Sequence, residues 1–315
     1  MIIINSSDTD QTTNDVIDWL RYYRVNYKRI NDSDEVRIRN LTIDNGIDFE
    51  IEFLTTGEIL KAKEISFFWY RRGELNLDID CDIEEQAFLQ KEQFRLKQLV
   101  NHYLRNKVPS LGSFNDNYIN KLIVLNEAES VGLAIPKTLI TSNKKDLVEF
   151  KEQHKNIITK AIDNARIAEF TKIVGDEAIK SSDRAFFYTL FQSYKEKLVE
   201  LRIFFLKNRF WATAIFSQND EQTKVDFRNY NYIKPNRLAP FILPKEITRK
   251  LNELNRKLKL TSGSIDMILT PDNEYVLLEI NPVGQFRTFS YFGNLNLEKH
   301  IAEYIIKNER KTTAV

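Results

Sequence analysis

The sequence predicts a mixed α/β protein made of several subdomains, and three observations carry that prediction. Residues 1–70 alternate strand-like and helix-like segments. Residues 84–107 show sustained helical periodicity. Two pairs of apolar runs, 198–206 with 210–216 and 264–270 with 275–280, each flank a short polar turn and read as β-hairpins. A chain of 315 residues has room for about two or three subdomains, each with its own core.

In chain order, residues 2–4 form an apolar strand, 14–23 an amphipathic helix and 25–30 a second strand. A hairpin region follows across Gly46 and Gly57, then an apolar strand over 65–72 that ends in Arg71 and Arg72. In the helix 84–107, Leu96, Leu99, Val100, Tyr103 and Leu104 share one face, and Arg105 and Lys107 occupy the last turn. Pro109, Gly112 and Ser113 mark a boundary. Residues 118–131 read as a helix stopped by Gly132, with Pro136 on the approach to the next strand. A helix over 144–153 and a strand over 156–162 precede a mixed segment, and helices over 243–258 and 297–308 complete the second half. The subdomain boundaries follow as 1–112, 113–196 and 197–315.

Composition excludes several function classes. A formal net charge of +1 gives no one-signed field for nucleic acid or an anionic membrane. The N-terminus lacks the basic and long apolar regions of a signal peptide, and no apolar run reaches the length of a membrane span, so a cytoplasmic protein is expected. Cys81 is the sole cysteine, and His102, His154 and His300 follow no metal-ligand spacing. With 9 glycines and neither a Walker loop nor a dinucleotide fingerprint, any nucleotide phosphates must be held by lysines, arginines and backbone amides.

The densest chemical signal is Asp266 with Glu279-Ile280-Asn281. Strand residues two apart share a face, so Glu279 and Asn281 point the same way. A four-residue turn over 271–274 pairs Thr270 with Tyr275 and sets Asp266 opposite Glu279, an agreement that a one-residue slip destroys. Two carboxylates and an amide oxygen within apolar strands suit Mg2+, but the same spacing fits an ordinary hairpin with a wet polar face. Glu200 and Arg202 likewise share a face, where the guanidinium suits a phosphate and an intra-strand ion pair is the plainer alternative. Asp226 and Arg228 repeat that arrangement. Lys121 lies in the helix 118–131, and Lys160 ends an apolar strand where an edge lysine is commonplace.

The order Lys121, Lys160, Glu200-Leu201-Arg202, Asp266, Glu279-x-Asn281 resembles the ATP-grasp superfamily over nearly the whole chain. Asn120-Lys121 followed by Gly132-Leu133-Ala134-Ile135-Pro136-Lys137-Thr138 looks like that family's opening motif. The resemblance is closest to the grasp-with-spasm peptide maturases related to microviridin macrocyclases. It rests on Trp69-Tyr70-Arg71-Arg72-Gly73, Asn281-Pro282-Val283-Gly284-Gln285-Phe286 and Leu297-Glu298-Lys299-His300-Ile301-Ala302.

The resemblance implies an ATP-grasp fold with an N-terminal α/β subdomain and two α+β subdomains that clasp ATP. It assigns ATP phosphates to Lys121 and Lys160, the transferring group to Arg202, and Mg2+ to Asp266, Glu279 and Asn281. Gln192, Ser193 and Tyr194 become the hinge at adenine, with Lys197 near the ribose. Glu200 and Asp226 are candidates for accepting the nucleophile's proton, and Arg228 for a second carboxylate of the substrate.

The implied substrate is a ribosomally made precursor with leader and core, whose Asp or Glu side chains are joined to Ser/Thr as ω-esters or to Lys as ω-amides. A homodimer is implied as well. Addition of a free amino acid or amine, and a catalytically silent ATP- or peptide-binding module, are the alternative readings. The chain departs from the family in its flap stretch, 161–183, which holds only Gly175, and in the residues after Phe286, beginning Arg287-Thr288-Phe289.

Overall fold

A computed structural model describes residues 1–78, 86–162 and 170–310; Cys81, the first residues of the expected helix 84–107 and part of the flap stretch lie outside them. The chain divides into two compact units. One comprises Met1–Tyr118, Gln285–Ser290 and the segment from Asn296 onward, the other Ile119–Gly284 and Tyr291–Leu295.

The first unit opens with strand β1 (Ile2–Ser6), helix α1 (Gln11–Tyr22) and strand β2 (Tyr27–Asn31). Helix α1 begins earlier than its apolar spacing indicates because the Asp10 carboxylate accepts from the Thr13 amide at 3.0 Å, an N-cap. The antiparallel strands β3 (Glu35–Ile43), β4 (Ile47–Phe53) and β5 (Glu58–Lys61) turn at Gly46 and Gly57, as the glycine positions indicate. Strand β6 (Phe67–Tyr70) returns beside β1, the short β7 (Asn76–Leu77) joins β3, and helix α2 (Gln86–Asn106) leads to β8 (Ser110–Leu111). A parallel sheet of order β2-β1-β6-β8 results, with Ile2, Ile3, Ile4 and Phe67 fully buried. The C-terminal helix Leu297–Asn308 belongs to this unit and buries Leu297, Ile301, Ala302 and Ile305.

The second unit begins with helix α3 (Lys121–Ser130), three residues later than periodicity places it. The Asn120 side chain accepts from the amides of Leu122 and Ile123 at 2.9 and 3.3 Å, which fixes the start and makes Lys121 the first helical residue. Strand β9 (Thr138–Asn143), helix α4 (Lys144–His154), strands β10 (Ile157–Lys160) and β11 (Lys172–Ile173), helix α5 (Asp176–Ser181) and strand β12 (Ala185–Ser193) follow. Their sheet has the order β11-β10-β12-β9 over a small core of Leu147, Phe150, Ile157, Val174, Ile179 and Phe191. Sequence reading left β12 as a mixed segment. Its run Phe186-Phe187-Tyr188-Thr189-Leu190-Phe191 lacks alternation because a register shift lies between Ala185 and Thr189.

The largest sheet holds β13 (Val199–Leu206), β14 (Arg209–Phe216) and β15 (Arg237–Phe241), then, after helix α6 (Lys245–Lys257), β16 (Ser262–Leu269) and β17 (Tyr275–Asn281). Its order is β15-β14-β13-β16-β17, entirely antiparallel. Pro240 hid β15 from sequence reading; an edge strand tolerates proline because one side of it needs no ladder. Leu201, Ile203, Phe205, Ile265, Met267, Leu277 and Ile280 pack against Val124 and Ala128 of α3 and Leu251 and Leu254 of α6. Alternation then obliges Glu200, Arg202, Ser264, Asp266, Glu279 and Asn281 to occupy the opposite face.

The hairpin β16–β17 departs from its expected register in an instructive way. Leu269, not Thr270, pairs with Tyr275, one residue short of the simple prediction. A β-bulge between Asp266 and Met267 then absorbs one extra residue on β17, so Asp266 still faces Glu279 and Ser264 faces Asn281. The Thr270 side chain accepts from the Glu274 amide at 3.1 Å, and Asn273 adopts φ +61°, giving the turn its own geometry.

Removing the cap ahead of Lys121 tests this account of α3. Asn120→Ala is expected to lower unfolding free energy by about 1 kcal/mol in urea titration. A variant as stable as the parent would show that α3 begins for some other reason.

Candidate active site

The site lies on the solvent side of the five-stranded sheet in the second unit, and register alone brings its parts together. Arg202, Asp266 and Glu279 are directly cross-paired on three adjacent strands. The Arg202 guanidinium donates to both Asp266 oxygens, at 2.7 and 2.6 Å. Lys121 Nζ lies 3.2 Å from Glu279 Oε2. Lys160 Nζ donates to the Leu278 carbonyl at 3.4 Å, the residue at which the bulge interrupts the ladder. The irregularity that preserves the carboxylate pairing therefore also offers an acceptor to the second lysine.

Burial and neighbouring charge set the protonation of this group. Burial, reinforced by the charge of Glu279, pushes the Asp266 carboxyl above its ordinary range, although Arg202 opposes the shift. Burial also works against the Glu279 charge, but Lys121, Lys160 and then Arg228 outweigh it and hold that carboxyl low. Desolvation drives the Lys160 ammonium down, with Glu279 pulling it back. Cations thus offset the cost of burying these carboxylates, fully at Glu279 and only in part at Asp266.

One pocket is lined by Lys160, Gln192, Ser193, Tyr194, Lys197, Glu200, Asp226, Arg228, Asp266 and Glu279. Lys121 and Arg202 join it through their bonds to Glu279 and Asp266, and Asn281 lies two residues from Glu279 on the same face. The side chains that sequence reading assigned to nucleotide, metal and catalysis therefore belong to one region. Sequence reading missed the apolar wall of Ile158, Val225, Phe227, Ile268 and Leu278, together with Thr171 and Lys195. Wall residues look like core in a sequence, and no spacing rule separates the two.

At the hinge, Ser193 and Lys137 exchange two bonds: the Ser193 amide donates to the Lys137 carbonyl at 2.9 Å, and Ser193 Oγ accepts from the Lys137 amide at 3.0 Å. Gln192 Nε2 donates to Thr138 Oγ1 at 3.0 Å, while its buried Oε1 has no partner among the described residues. Lys197 Nζ donates to Glu200 Oε1 and to the Val225 carbonyl, both at 3.0 Å. Ser217 Oγ donates to the same Glu200 oxygen at 2.7 Å. Burial raises the Glu200 pKa against the opposing pull of Lys197 and Ser217.

Asp226 proves to be a clamp. Arg228 grips it with Nε at 2.9 Å from Oδ1 and Nη2 at 2.6 Å from Oδ2, and the amides of Thr171 and Arg228 each donate to it at 3.1 Å. Burial alone would raise its pKa; these bonds overcome burial and depress it. A carboxylate so firmly held is a weak proton acceptor, and its geometry suits orienting Arg228, whose guanidinium also senses Glu279 and Asp266.

Asp266, Glu279 and Asn281 fit a Mg2+ site by their chemistry. Among the described residues no group of three His, Cys, Asp or Glu side chains converges on a metal position. Two carboxylates and one amide oxygen leave a hard cation needing phosphate oxygens and water, which is how Mg2+ is usually held. Asn281 Oδ1 is buried without a hydrogen-bond partner among the described residues, as a waiting ligand would be. For Asp266 to serve as well, Arg202 must release at least part of its two-pronged hold.

No protein-family model matches the chain, and no curated protein matches it. Solved structures do. A RiPP-associated ATP-grasp ligase of Chryseobacterium gregarium, in complex with ADP and a leader and core peptide, superposes with TM-score 0.83 and 24% identity over 100% of this chain and 99% of its own. The macrocyclase MdnC of Microcystis aeruginosa, bound with precursor peptide MdnA, gives TM-score 0.77 and 26% identity over 97% and 99%. The ATP-grasp ligase PsnB, complexed with minimal precursor, Mg and ADP, gives 0.70 and 14% over 98% and 96%. The chain has the ATP-grasp fold, and these three neighbours are each solved in complex with a precursor, or with a leader and core peptide.

The Asp226 clamp makes a pH prediction. Its folded pKa is depressed, so its contribution to stability is fully present above the unfolded value of about 3.9 and is lost as pH falls through the folded value. The stability gap between the parent and Asp226→Asn should be widest near neutrality and close in strong acid, as read from urea midpoints. A gap independent of pH would show that the clamp is not ionic.

Proposed function

We propose that this chain is an ATP- and Mg2+-dependent ligase that modifies a ribosomally made precursor peptide, phosphorylating Asp or Glu side chains and closing ω-ester macrocycles with Ser or Thr. The observation that carries this reading is the convergence of Lys121, Lys160, Arg202, Asp266 and Glu279 beside the Gln192–Lys197 hinge, in a fold whose neighbours are solved with nucleotide and precursor peptide.

The chemistry follows from charge. Lys121 and Lys160, from the first turn of α3 and the end of β10, are placed to hold phosphate oxygens. Asp266, Glu279 and Asn281 would hold Mg2+, which would offset the charge of the phosphates. The apolar wall beside Gln192, Ser193 and Tyr194 suits adenine, and Lys197 is assigned to the ribose hydroxyls.

A peptide carboxylate oxygen attacks the γ-phosphorus, the bond to the bridging β–γ oxygen breaks, and ADP leaves. Arg202 neutralises charge on the transferring oxygens, which is catalysis by fixed electrostatics. A hydroxyl of the same peptide then adds to the acyl carbon and phosphate departs, leaving the ester. With Asp226 committed to Arg228, Glu200 is the better candidate for receiving the hydroxyl proton, because its pKa is raised. Arg228 is assigned to a second carboxylate of the peptide. A leader docked away from the site makes the closure effectively intramolecular. A cytoplasmic homodimer completes the proposal; among the described residues no helix is long and apolar enough to cross a membrane.

Replacing Arg202 by Lys keeps the charge and removes the two-pronged geometry. Turnover should fall about a hundredfold, close to 3 kcal/mol of transition-state stabilisation, with ATP affinity largely kept. A loss confined to ATP affinity would make Arg202 a ground-state phosphate ligand instead.

Incubation with ATP, Mg2+ and a precursor encoded beside the gene should give a mass ladder that loses one water, about 18 Da, per ring. Mild base should reverse each step, because an ester left by an activated carboxylate hydrolyses far faster than an amide. Base-resistant losses would indicate ω-amides to Lys. A gain equal to an amino acid would replace macrocyclisation by ligation of a free amine.

A further inference from the structure

Ser264 lies on the site face of β16, two residues before Asp266 and directly opposite Asn281. It is 1% exposed, and its Oγ has no hydrogen-bond partner among the described residues. Asn281 Oδ1, across the ladder, is in the same condition. A hydroxyl can rotate to suit almost any neighbour, so a buried serine left unsatisfied calls for a physical reason. Two such oxygens facing each other beside Asp266 and Glu279 share one, if both await a ligand that the folded chain does not itself supply.

The chain passes close beside them at a glycine. The turn after β17 is closed by the Gly284 amide donating to the Asn281 carbonyl at 3.1 Å. A Cβ at Gly284 would stand 2.8 Å from Arg202 Nη2 and 3.0 Å from both Ser264 Cβ and the Asn281 carbonyl oxygen, so a side chain there would press on all three. Ser264, Asn281 and the Arg202 guanidinium thus pack tightly around one glycine, and Arg202 Nη1 is held by both Asp266 oxygens.

We propose that Ser264 is a further binding residue of this site, its hydroxyl contacting the coordination shell of the Mg2+–nucleotide beside Asn281. The proposal rests on the ATP-grasp ligase reading above and adds to it a residue that neither spacing nor the family resemblance singled out. It carries a sign that an ordinary structural serine would not have. A hydroxyl buried for a ligand's sake destabilises the ligand-free protein, so its removal should not harm the fold.

Ser264→Ala is the test, read in two ways that need no turnover. Ligand-free thermal unfolding should give a Tm equal to or above that of the parent. Calorimetric titration with ADP in the presence of Mg2+ should show affinity reduced roughly tenfold, while ADP with chelator binds both proteins alike. A lower ligand-free Tm with unchanged Mg2+–ADP affinity in Ser264→Ala would overturn the proposal and make Ser264 a structural residue. If Mg2+ fails to strengthen ADP binding in the parent itself, the underlying ligase reading fails instead.

Discussion

The pairing of Arg202 with Asp266 and of Asp266 with Glu279 is the constraint on which the rest of the site depends. Three adjacent strands each contribute one charged group, and the ladder leaves none of them free to drift. Because side chains alternate, the same register that brings these charges together sends Ile203, Ile265 and Ile280 into the core beneath α3 and α6. A slip of one residue would expose the core and bury the charges at once, so hydrophobic packing enforces the active geometry. The bulge on β17 is the adjustment that reconciles a short turn with that register, and the Leu278 carbonyl there receives Lys160.

Cations and carboxylates are interleaved throughout this region. Lys121, Lys160, Lys197, Arg202 and Arg228 surround Asp226, Glu200, Asp266 and Glu279, and every one of those carboxylates holds or senses at least one of the cations. Breaking a buried pair from one side costs far more than the pair itself contributes. Under the proposed function, a polyphosphate and a divalent cation arriving together would avoid that penalty. Lys121, Lys160 and Arg202 would then face phosphate, and the carboxylates would face the metal, with neither set left uncompensated.

The first unit shows the same logic in a structural role. The Asp10 carboxylate caps α1 and receives Arg72 Nε at 2.6 Å and Arg71 Nε at 3.3 Å, with Arg71 4% exposed. Gln285, with its amide oxygen toward Arg72, accepts from both terminal nitrogens at 3.2 and 3.0 Å, and the Phe286 ring lies 5.3 Å from the Arg71 guanidinium. Two stretches far apart in sequence, Trp69-Tyr70-Arg71-Arg72-Gly73 and Gln285-Phe286, thus meet around one buried ion cluster. Gly73 adopts φ +78°, and a Cβ there would strike the Ser6 carbonyl, which explains the glycine after the arginines.

The sequence by itself determined the strands and helices that have strong periodicity, the apolar faces of the two long hairpins, and the set of polar residues that converge. Those features are local: alternation and helical spacing are read within a few residues, and Asp266, Glu279 and Asn281 announce themselves as polar interruptions of apolar strands. Tertiary structure decided what depends on partners distant in the chain. It fixed the start of α3 at Asn120, the existence of β12 and β15, the bulge that rescues the Asp266–Glu279 pairing, and the clamp that turns Asp226 from a candidate base into the holder of Arg228. Ser264 illustrates the division most plainly. In sequence it is one hydroxyl in an apolar strand; only its burial opposite Asn281, with neither oxygen satisfied, gives it a meaning, because a hydrogen bond not made is visible only when every neighbour is in place.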